Sequence, residues 1–351
     1  MSVADPARAV CPAPSVETGR VLLGHGSGGR LSAELLRDVI LPAFGTAGDV
    51  PQDAAAFAVD GARLALSTDA FVVDPLFFPG GDIGALAVHG TVNDLAMMGA
   101  APVALALAYV IEEGFPVEDL RRISASAGAA AAAAGTRIVT GDTKVVGRGA
   151  ADGLFVTTTG VGRRLSGAAV SAAAARPGDV VLLSGPIGVH GTAIIGAREG
   201  FGFAAELASD TRPLHRLAAA MVAAAGPALH AMRDPTRGGL ASALNEIAAA
   251  SRAGIEIDEA ALPVPAPVAD ACDLLGLDPL HVAGEGCLVA VAAAEAADDL
   301  LNAMRRTPEG EGAVVLGRVV GEHPGRVVMH TLVGGRRIVD MLLGEQLPRI
   351  C

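Results

Sequence analysis

Aromatic residues are scarce in this chain of 351 residues, which has no tryptophan, one tyrosine and nine phenylalanines. Basic residues are also few, because 26 lysines and arginines face 38 aspartates and glutamates, which gives a formal net charge of −12. The sequence contains no basic tract interleaved with aromatics. These shortages argue against nucleic acid or an anionic membrane as the main partner. The surplus carboxylates instead suit the binding of hard cations.

The four cysteines, Cys11, Cys272, Cys287 and Cys351, show no CxxC spacing and no paired framework. This pattern favours a reducing cytoplasm over secretion. Residues 1–14 lack the apolar core of a signal peptide, and the longest apolar run, 95–111, is interrupted by glycine and proline. The sequence therefore predicts a cytoplasmic protein with no membrane span.

Length and hydrophobic content predict two domains, since a single core rarely grows beyond about 250–300 residues. Alternating strand and helix patterns in both halves indicate an α/β or α+β fold with two layers. We predict a disordered N-terminus (1–20), an N-terminal domain (21–170), a C-terminal domain (171–335) and a mobile tail (336–351). Within the C-terminal domain, segments 314–320 and 326–331 read as the two strands of a hairpin.

Lysine is almost absent, since Lys144 is the only lysine among the 26 basic residues. It follows Asp142 and Thr143 in a predicted loop after a short strand at 137–140. Lys144 carries a compact ammonium group, which suits a site that needs a rotatable point charge. The alternative is that this one lysine survived by chance.

A glycine-rich segment, Gly24–Gly29, formally satisfies the GxGxxG pattern. A dinucleotide-binding unit would also need an acidic residue at the end of the next strand, about 20 residues on. Asp49 falls at that distance but within a loop-like stretch. We therefore favour a loop that wraps phosphates through the backbone N–H groups of Gly26, Gly28 and Gly29.

Five isolated aspartates interrupt strongly apolar neighbourhoods, where an unpaired carboxylate is costly. They are Asp53, Asp69, Asp94, Asp142 and Asp234. A cluster around Mg²⁺ and polyphosphate would remove that cost, whereas helix caps and turns are the alternative for any single one. Glu285 lies between two glycines, which would let its carboxylate project into a site that backbone also approaches.

The chain ends with Pro348, Arg349, Ile350 and Cys351. Because Pro348 disfavours helix just before it, we expect an arm that carries its thiol between a partner protein and an active site. The alternative is a frayed end with an accidental thiol.

Several of these strings together resemble one family. The sequence is similar to the HypE family of hydrogenase-maturation proteins in the segments 24–30, 67–69, 80–84, 91–100, 141–146, 234–239 and 348–351. The segment 93–97 alone would indicate only the wider superfamily of aminoimidazole ribonucleotide synthetase, selenophosphate synthetase and thiamine-monophosphate kinase. The last four residues are the more specific match. The resemblance implies a PurM-like fold, with an N-terminal domain that pairs with a second subunit in a barrel-like dimer core.

The resemblance also implies a reaction and a set of site residues. A carbamoyl group on the sulfur of Cys351 would be dehydrated with ATP to a thiocyanate, which supplies cyanide for the iron of nickel–iron hydrogenase. The carbamoyltransferase HypF would load the thiol, and a HypC–HypD scaffold would receive the cyanide. Lys144 and Glu285 would act in catalysis with Cys351. The resemblance further assigns nucleotide contacts to Gly26, Gly28, Gly29, Asp69, Asn93, Asp94, Asp142 and Thr143, and Mg²⁺ contacts to Asp53, Asp69, Asp94 and Asp234.

Two other functions are compatible with the sequence at this point. The first is a small-molecule kinase or synthetase of the same superfamily, of the thiamine-phosphate or selenophosphate type, which would not use a terminal thiol. The second is a non-catalytic carrier whose thiol delivers a group. Such a carrier would not need an aspartate cluster or glycine loops.

Overall fold

The computed structural model describes residues 20–46, 51–200, 207–344, 347 and 349–351. Residues 1–19, most of the segment predicted to be disordered, lie outside this described part. So do Asp49 and Pro348, which the sequence analysis singled out.

The first half of the chain forms a five-stranded sheet. Its strands are β1 (Ala55–Val59), β2 (Ala62–Phe71), β5 (Ala100–Glu112), β6 (Ile138–Val146) and β7 (Leu154–Arg164). They lie in the order β1-β2-β7-β5-β6, and every neighbouring pair is antiparallel except β5 and β6. Two short strands, β3 (Phe77–Phe78) and β4 (Gly81–Asp82), form a separate ribbon.

Helical segments precede this sheet in the chain or lie between its strands in sequence. They are a 3-10 helix (Leu23–Gly26), α1 (Arg30–Leu35), a π-helical turn (Leu36–Ile40), α2 (Leu41–Ala43), α3 (Ile83–Met97) and α4 (Val117–Ala133). Asp82 caps α3 by accepting hydrogen bonds from the backbone N–H groups of Gly84 (2.8 Å) and Ala85 (3.0 Å). Helix α3 is apolar on most sides because it lies between the first sheet and the second half of the chain.

Strand β6 differs from the sequence prediction. A strand at 137–140 followed by a loop was expected, but the strand continues through Asp142, Thr143 and Lys144 to Val146. Both faces of this edge strand are exposed, so it lacks the alternation of polar and apolar residues by which a half-buried strand is recognised. The loop prediction for these three residues was therefore wrong.

The second half of the chain forms a seven-stranded sheet. Its strands are β8 (Val180–Leu183), β9 (Leu229–Arg233), β10 (Gly254–Asp258), β11 (Val289–Ala292), β12 (Val314–Val320), β13 (Val327–His330) and β14 (Arg336–Val339). Their order is β14-β13-β10-β12-β8-β11-β9. The predicted hairpin of β12 and β13 was wrong, because β10 inserts between them and pairs with both.

Helices pack on both faces of this second sheet. The α-helices are α5 (Val189–Glu199), α6 (His215–Ala225), α7 (Gly239–Ser251), α8 (Ala266–Leu275) and α9 (Ala297–Arg305). Short 3-10 helices occur at Ala172–Ala174, Gly226–Ala228, Glu259–Ala261, Pro279–His281 and Ala294–Ala296. Two hydrophobic clusters form the core of this half, one built around α7 and the other around α6 and α9.

The two sheets divide the chain between Arg164 and Val180. Residues 336–339, which were predicted as part of a mobile tail, instead form the edge strand β14. Within the part of the chain that the structure describes, no helix combines the length and the apolar character needed to cross a bilayer.

Candidate active site

Three aspartates from distant parts of the chain converge between the two sheets. Asp53 precedes β1, Asp94 lies on α3, and Asp234 follows β9 in the loop that leads to α7. Each offers a carboxylate oxygen, and these three oxygens lie within 4.8 Å of one another. The first two acids belong to the first half of the chain and the third to the second half, so the cluster forms only when the two halves pack together.

Burial and mutual repulsion disfavour the charged form of these carboxyl groups. Burial, together with Asp53, raises the pKa of Asp234 to about 8. Burial and three neighbouring acids (Asp234, Asp69 and Asp53) raise the pKa of Asp94 well above its usual range. One oxygen of Asp53 and one of Asp234 are buried and accept no hydrogen bond from the described residues. Orphaned carboxylate oxygens that converge in this way fit a hard cation such as Mg²⁺.

Asp69 lies beside the cluster on β2 but is not one of the three acids whose oxygens converge. Burial raises its pKa, while the guanidinium of Arg237 opposes the shift. The hydroxyl of Ser67, two residues earlier on the same face of β2, donates a hydrogen bond to Asp94. The strand period of two thus places Ser67 and Asp69 side by side facing the cluster.

Arg233 is a buried cation beside the cluster. Its Nε lies 3.5 Å from Oδ1 of Asp53, and its Nη2 forms an ion pair with Glu246 on α7. Although burial opposes it, Asp53 and Glu246 together raise the pKa of Arg233. Because Glu246 shares this guanidinium, Arg233 offsets only part of the negative charge at the three aspartates.

Glu285 is held at the cluster by a rigid loop before β11. Its side chain is only 2% exposed. The carboxylate of Asp210 accepts hydrogen bonds from the backbone N–H groups of Glu285 and Gly286, both at 3.1 Å, and Nε of Arg212 donates to the carbonyl of Gly286 at 2.8 Å. A Cβ at residue 286 would collide with the backbone of Asp210, which explains the glycine. Burial, then Asp234, raises the pKa of Glu285 well above its usual range.

The glycine loop packs against the second half of the chain. Gly28 has φ +74°, and a Cβ there would lie 2.7 Å from both Cβ and the carbonyl oxygen of Arg237. The carbonyl of Gly28 accepts a hydrogen bond from Ser242 at 3.2 Å, and Nη1 of Arg237 donates to the carbonyl of Gly26 at 3.3 Å. No strand precedes this loop in residues 20–22, so the dinucleotide-binding arrangement does not occur here.

The end of the chain lies in a cavity between this loop and the second half. Gly26, Gly29, Arg237 and Cys351 are among the residues that line it. The charge at Cys351 is the largest influence that raises the pKa of Arg237, and Asp69, Glu285 and Asp94 also contribute. One guanidinium therefore faces the end of the chain and the acidic cluster together.

Comparisons with known proteins match both halves of the chain. Residues 51–164 match the family model "AIR synthase related protein, N-terminal domain", and residues 176–330 match its C-terminal counterpart. The carbamoyl dehydratase HypE of Rhizobium leguminosarum bv. viciae is 53% identical over 340 residues, which cover 96% of each chain.

The chain belongs to the HypE family of carbamoyl dehydratases.

Two solved structures support the same assignment of fold. HypE in complex with ATP has a TM-score of 0.80 at 48% identity and covers 95% of this chain and all of that one. HypE from a HypE–HypF complex has a TM-score of 0.81 at 45% identity and covers 87% of this chain and all of that one. The PurM-like, mixed α/β fold expected from the sequence is thereby confirmed, and so is the assignment to the HypE family.

Three of the predicted site residues lie far from the acidic cluster. A fourth, Asn93, uses its side-chain amide to bind backbone groups of the second half. Asp142, Thr143 and Lys144 lie on β6, three strands away from β2, which corresponds to about 14 Å across the sheet. There Nζ of Lys144 pairs with Asp142 at 2.7 Å, and both side chains are exposed. Asn93 is fully buried, and its amide binds backbone groups of Arg212 and Leu214 in the second half.

Sequence reasoning missed several residues that shape the HypE site here. Arg237 lies in the segment 234–239, but the sequence analysis gave it no role. Arg233 directly precedes the predicted metal ligand Asp234 and also received no role. Asp210 and Arg212 gave no signal, because nothing in their neighbourhood indicates that they fold against Glu285. A search for charges adjacent to the predicted acids would have found Arg233 alone.

Proposed function

We propose that this chain dehydrates a carbamoyl group on the sulfur of its own Cys351 to a thiocyanate at the expense of ATP. The observation that carries the proposal is the position of the chain end. Cys351 and Arg237 line the same cavity, and the charges of Asp69, Glu285 and Asp94 also raise the pKa of Arg237. A thiol in this position would present its carbamoyl group to the acidic site without a separate substrate molecule.

The chemistry balances with one ATP for each carbamoyl group. The amide oxygen is a poor leaving group, and transfer of the γ-phosphoryl group from ATP converts it into a phosphate ester. Elimination then breaks the carbon–oxygen bond and forms the carbon–nitrogen triple bond, while the nitrogen loses two protons. The products are the S–C≡N group, ADP and inorganic phosphate, which carries away the oxygen of the amide.

Residues of the chain supply a positive charge, a proton acceptor and a loop that excludes water. Arg237 offsets negative charge on the oxygen that receives the phosphoryl group. Glu285 is a buried carboxyl group of raised pKa, so its carboxylate form is a stronger base than an exposed glutamate and can accept a proton from the nitrogen. The glycine loop excludes water that would hydrolyse the phosphorylated intermediate.

Asp53, Asp94 and Asp234 would hold Mg²⁺, with Asp69 beside them. When bound, the ion neutralises phosphate charge and orients the γ-phosphoryl group. ATP would lie against the glycine loop, where Gly26 and Gly29 line the cavity. The HypE relative solved in complex with ATP supports the binding of ATP.

A homodimer would explain the position of Lys144. In one chain Lys144 lies on the exposed edge strand β6, while β1 covers β2 only as far as Leu66. Apolar side chains on this sheet are exposed, among them Phe57, Val103 and Val145. A second copy that places its β6 against the open part of β2 would cover such surface and bring its own Lys144 towards Cys351.

A mixture of two inactive variants tests this arrangement. Lys144→Ala retains the thiol, and Cys351→Ala retains the lysine. If Lys144 acts across the dimer, mixed dimers of the two variants regain cyanide formation at one of their two sites. If the mixture stays inactive while mixed dimers are seen by native mass spectrometry, Lys144 does not act in the partner's site.

Loading and unloading of the thiol would need partner proteins. We propose HypF as the carbamoyl donor, which the HypE–HypF relative supports, and a HypC–HypD scaffold as the acceptor of cyanide. The thiol must remain reduced to be loaded, which favours the cytoplasm as the location.

Intact mass of the protein tests the central reaction. The chain is incubated with HypF, carbamoyl phosphate and ATP, and then with Mg-ATP. We expect the gain of one carbamoyl group on Cys351, followed by loss of one water only while ATP is consumed. Carbamoylation without loss of water would reduce the protein to a carrier. A Cys351→Ala variant that still turns over ATP with a small molecule would favour a superfamily kinase.

A further inference from the structure

The last three residues of the chain contact both halves of the molecule through their backbone. The N–H of Val72 donates to the carbonyl of Cys351 at 3.0 Å, and the N–H of Asp74 donates to the carbonyl of Arg349 at 3.2 Å. Both donors lie directly after β2, which belongs to the first sheet. The chain end therefore continues the hydrogen-bonding edge of that strand.

Helix α5 of the second half binds two of these three residues, Arg349 and Ile350, from the other side. Nε2 of His190 donates to the carbonyl of Ile350 at 2.9 Å, and Nη2 of Arg198 donates to the carbonyl of Arg349 at 2.7 Å. Nε of Arg198 also donates to the carbonyl of Asp74 at 2.8 Å. Two consecutive carbonyls of the chain end are thus bound by side chains two helical turns apart on α5.

The protonation state of His190 agrees with this role. Burial lowers the pKa of His190 to about 4, so the ring is neutral near pH 7. Its Nδ1 lies 2.7 Å from the hydroxyl of Ser209, which donates to it, and the ring hydrogen is then on Nε2. This tautomer is the one that donates to Ile350. Release of the chain end would leave a buried donor without its acceptor, which is costly.

Side chains of the tail fix its register. Ile350 is 6% exposed and packs in the same hydrophobic cluster as Phe71 and Ile194, the latter from α5. Arg349 donates from Nε to the carbonyl of Val72 at 2.9 Å and forms an ion pair with Asp152. A shift that brought Arg349 into the place of Ile350 would put a charged side chain into this apolar cluster, which is costly.

We propose that His190 and Arg198 are positioning residues that form the receptor for the docked chain end and set the equilibrium between docked and released Cys351. Neither residue belongs to the acidic cluster or to the glycine loop. The purpose of docking rests on the proposed function, but docking itself can be measured without the reaction.

Alkylation of Cys351 in the full-length protein measures release directly. A Cys11→Ser background leaves Cys272 and Cys287, both buried, as the other thiols. We expect His190→Ala and Arg198→Ala each to raise the rate of alkylation by iodoacetamide about tenfold, since each removes a buried or partly buried hydrogen bond to the tail. His190→Gln keeps an N–H donor and should stay within about threefold of the parent protein. Glu199→Ala, exposed on the same helix, is the matched control and should not change the rate.

Hydrogen exchange separates a positioning role from general destabilisation. In the two alanine variants the amides of Val72 and Asp74, which donate to the tail, should lose protection, while those of β12 in the second sheet should keep it. Unchanged alkylation, or equal loss of protection throughout both sheets, would overturn the proposal. Failure of Cys351 to lose water with ATP would refute the proposed function and leave these docking results unaffected.

Discussion

The acidic cluster predicts a coupling between protons and magnesium. Without a metal ion, Asp234 has a pKa of about 8, and Asp94 is raised as well. A group of pKa 8 is about half ionised at pH 8, about a tenth at pH 7 and about a hundredth at pH 6. Because a metal ion binds the carboxylate and not the acid, binding at neutral pH must release a proton.

The size of the effect follows from that single ionisation. For Asp234 alone, apparent Mg²⁺ affinity should fall about fivefold from pH 8 to pH 7 and about fiftyfold from pH 8 to pH 6. The raised pKa of Asp94 would make the dependence steeper. Isothermal titration of Mg²⁺ in two buffers of different ionisation enthalpy counts the protons released at each pH.

Stability of the metal-free protein should change with pH in the opposite direction. The folded chain keeps a proton on Asp234 at pH values where the unfolded chain, with a usual pKa near 3.8, has lost it. The free energy of unfolding without metal should therefore fall as pH rises from about 4 to about 8, by up to about 1.4 kcal/mol per pH unit for each such proton. Excess Mg²⁺ should restore stability most at the upper end of that range.

A matched pair of variants controls the measurement. Asp234→Asn should weaken Mg²⁺ binding and reduce the proton release, whereas Asp298→Asn, at an exposed position on α9, should leave both unchanged. Equal Mg²⁺ affinity at pH 6 and pH 8, with no proton released, would refute the conclusion that burial keeps a proton on Asp234 at neutral pH when no metal ion is bound.

Three further changes test other parts of the site. Asp210→Ala removes the two hydrogen bonds that the N–H groups of Glu285 and Gly286 donate to Asp210. The rate of water loss from carbamoylated protein should then fall at least tenfold, while ATP affinity, measured by calorimetry, stays within about threefold. Gly28→Ala forces a Cβ against Arg237 at a positive φ and should lower the thermal midpoint by several degrees, whereas Gly45→Ala, also at positive φ but with open space around it, should cost less. Lys144→Arg should reduce activity without lowering the thermal midpoint, and wild-type turnover would contradict its special role.

The sequence was most informative where charged side chains interrupt apolar segments. Asp53, Asp94 and Asp234 stood out because carboxylates are costly in apolar surroundings, and the structure brings these three together. Their convergence could not be derived from spacing, because it depends on how two separate sheets pack. Asp69 lies beside them, and which of the four acids contact a metal ion stays a prediction.

Errors occurred where pairing is decided by distant segments. Strands β12 and β13 are close in sequence and separated by a turn, which favours a hairpin. The structure separates them by β10, whose position depends on the packing of the whole second sheet. The prediction ended strand β6 too early for a different reason. A strand that is exposed on both faces shows no alternation of polar and apolar residues. The carbonyls of the tail are bound by His190 and Arg198, which no local pattern singles out.

Attachment of the thiol to the chain that acts on it has a kinetic consequence. The docked end needs no encounter with the site, so under the proposed function the dehydration step is first order in protein and has no Michaelis constant for the carbamoyl group. Dilution would slow loading by HypF and delivery to the scaffold, which are bimolecular, but not the step between them until the proposed dimer dissociates. Each chain would then process one group per loading, and the flux of cyanide would be limited by partner encounters.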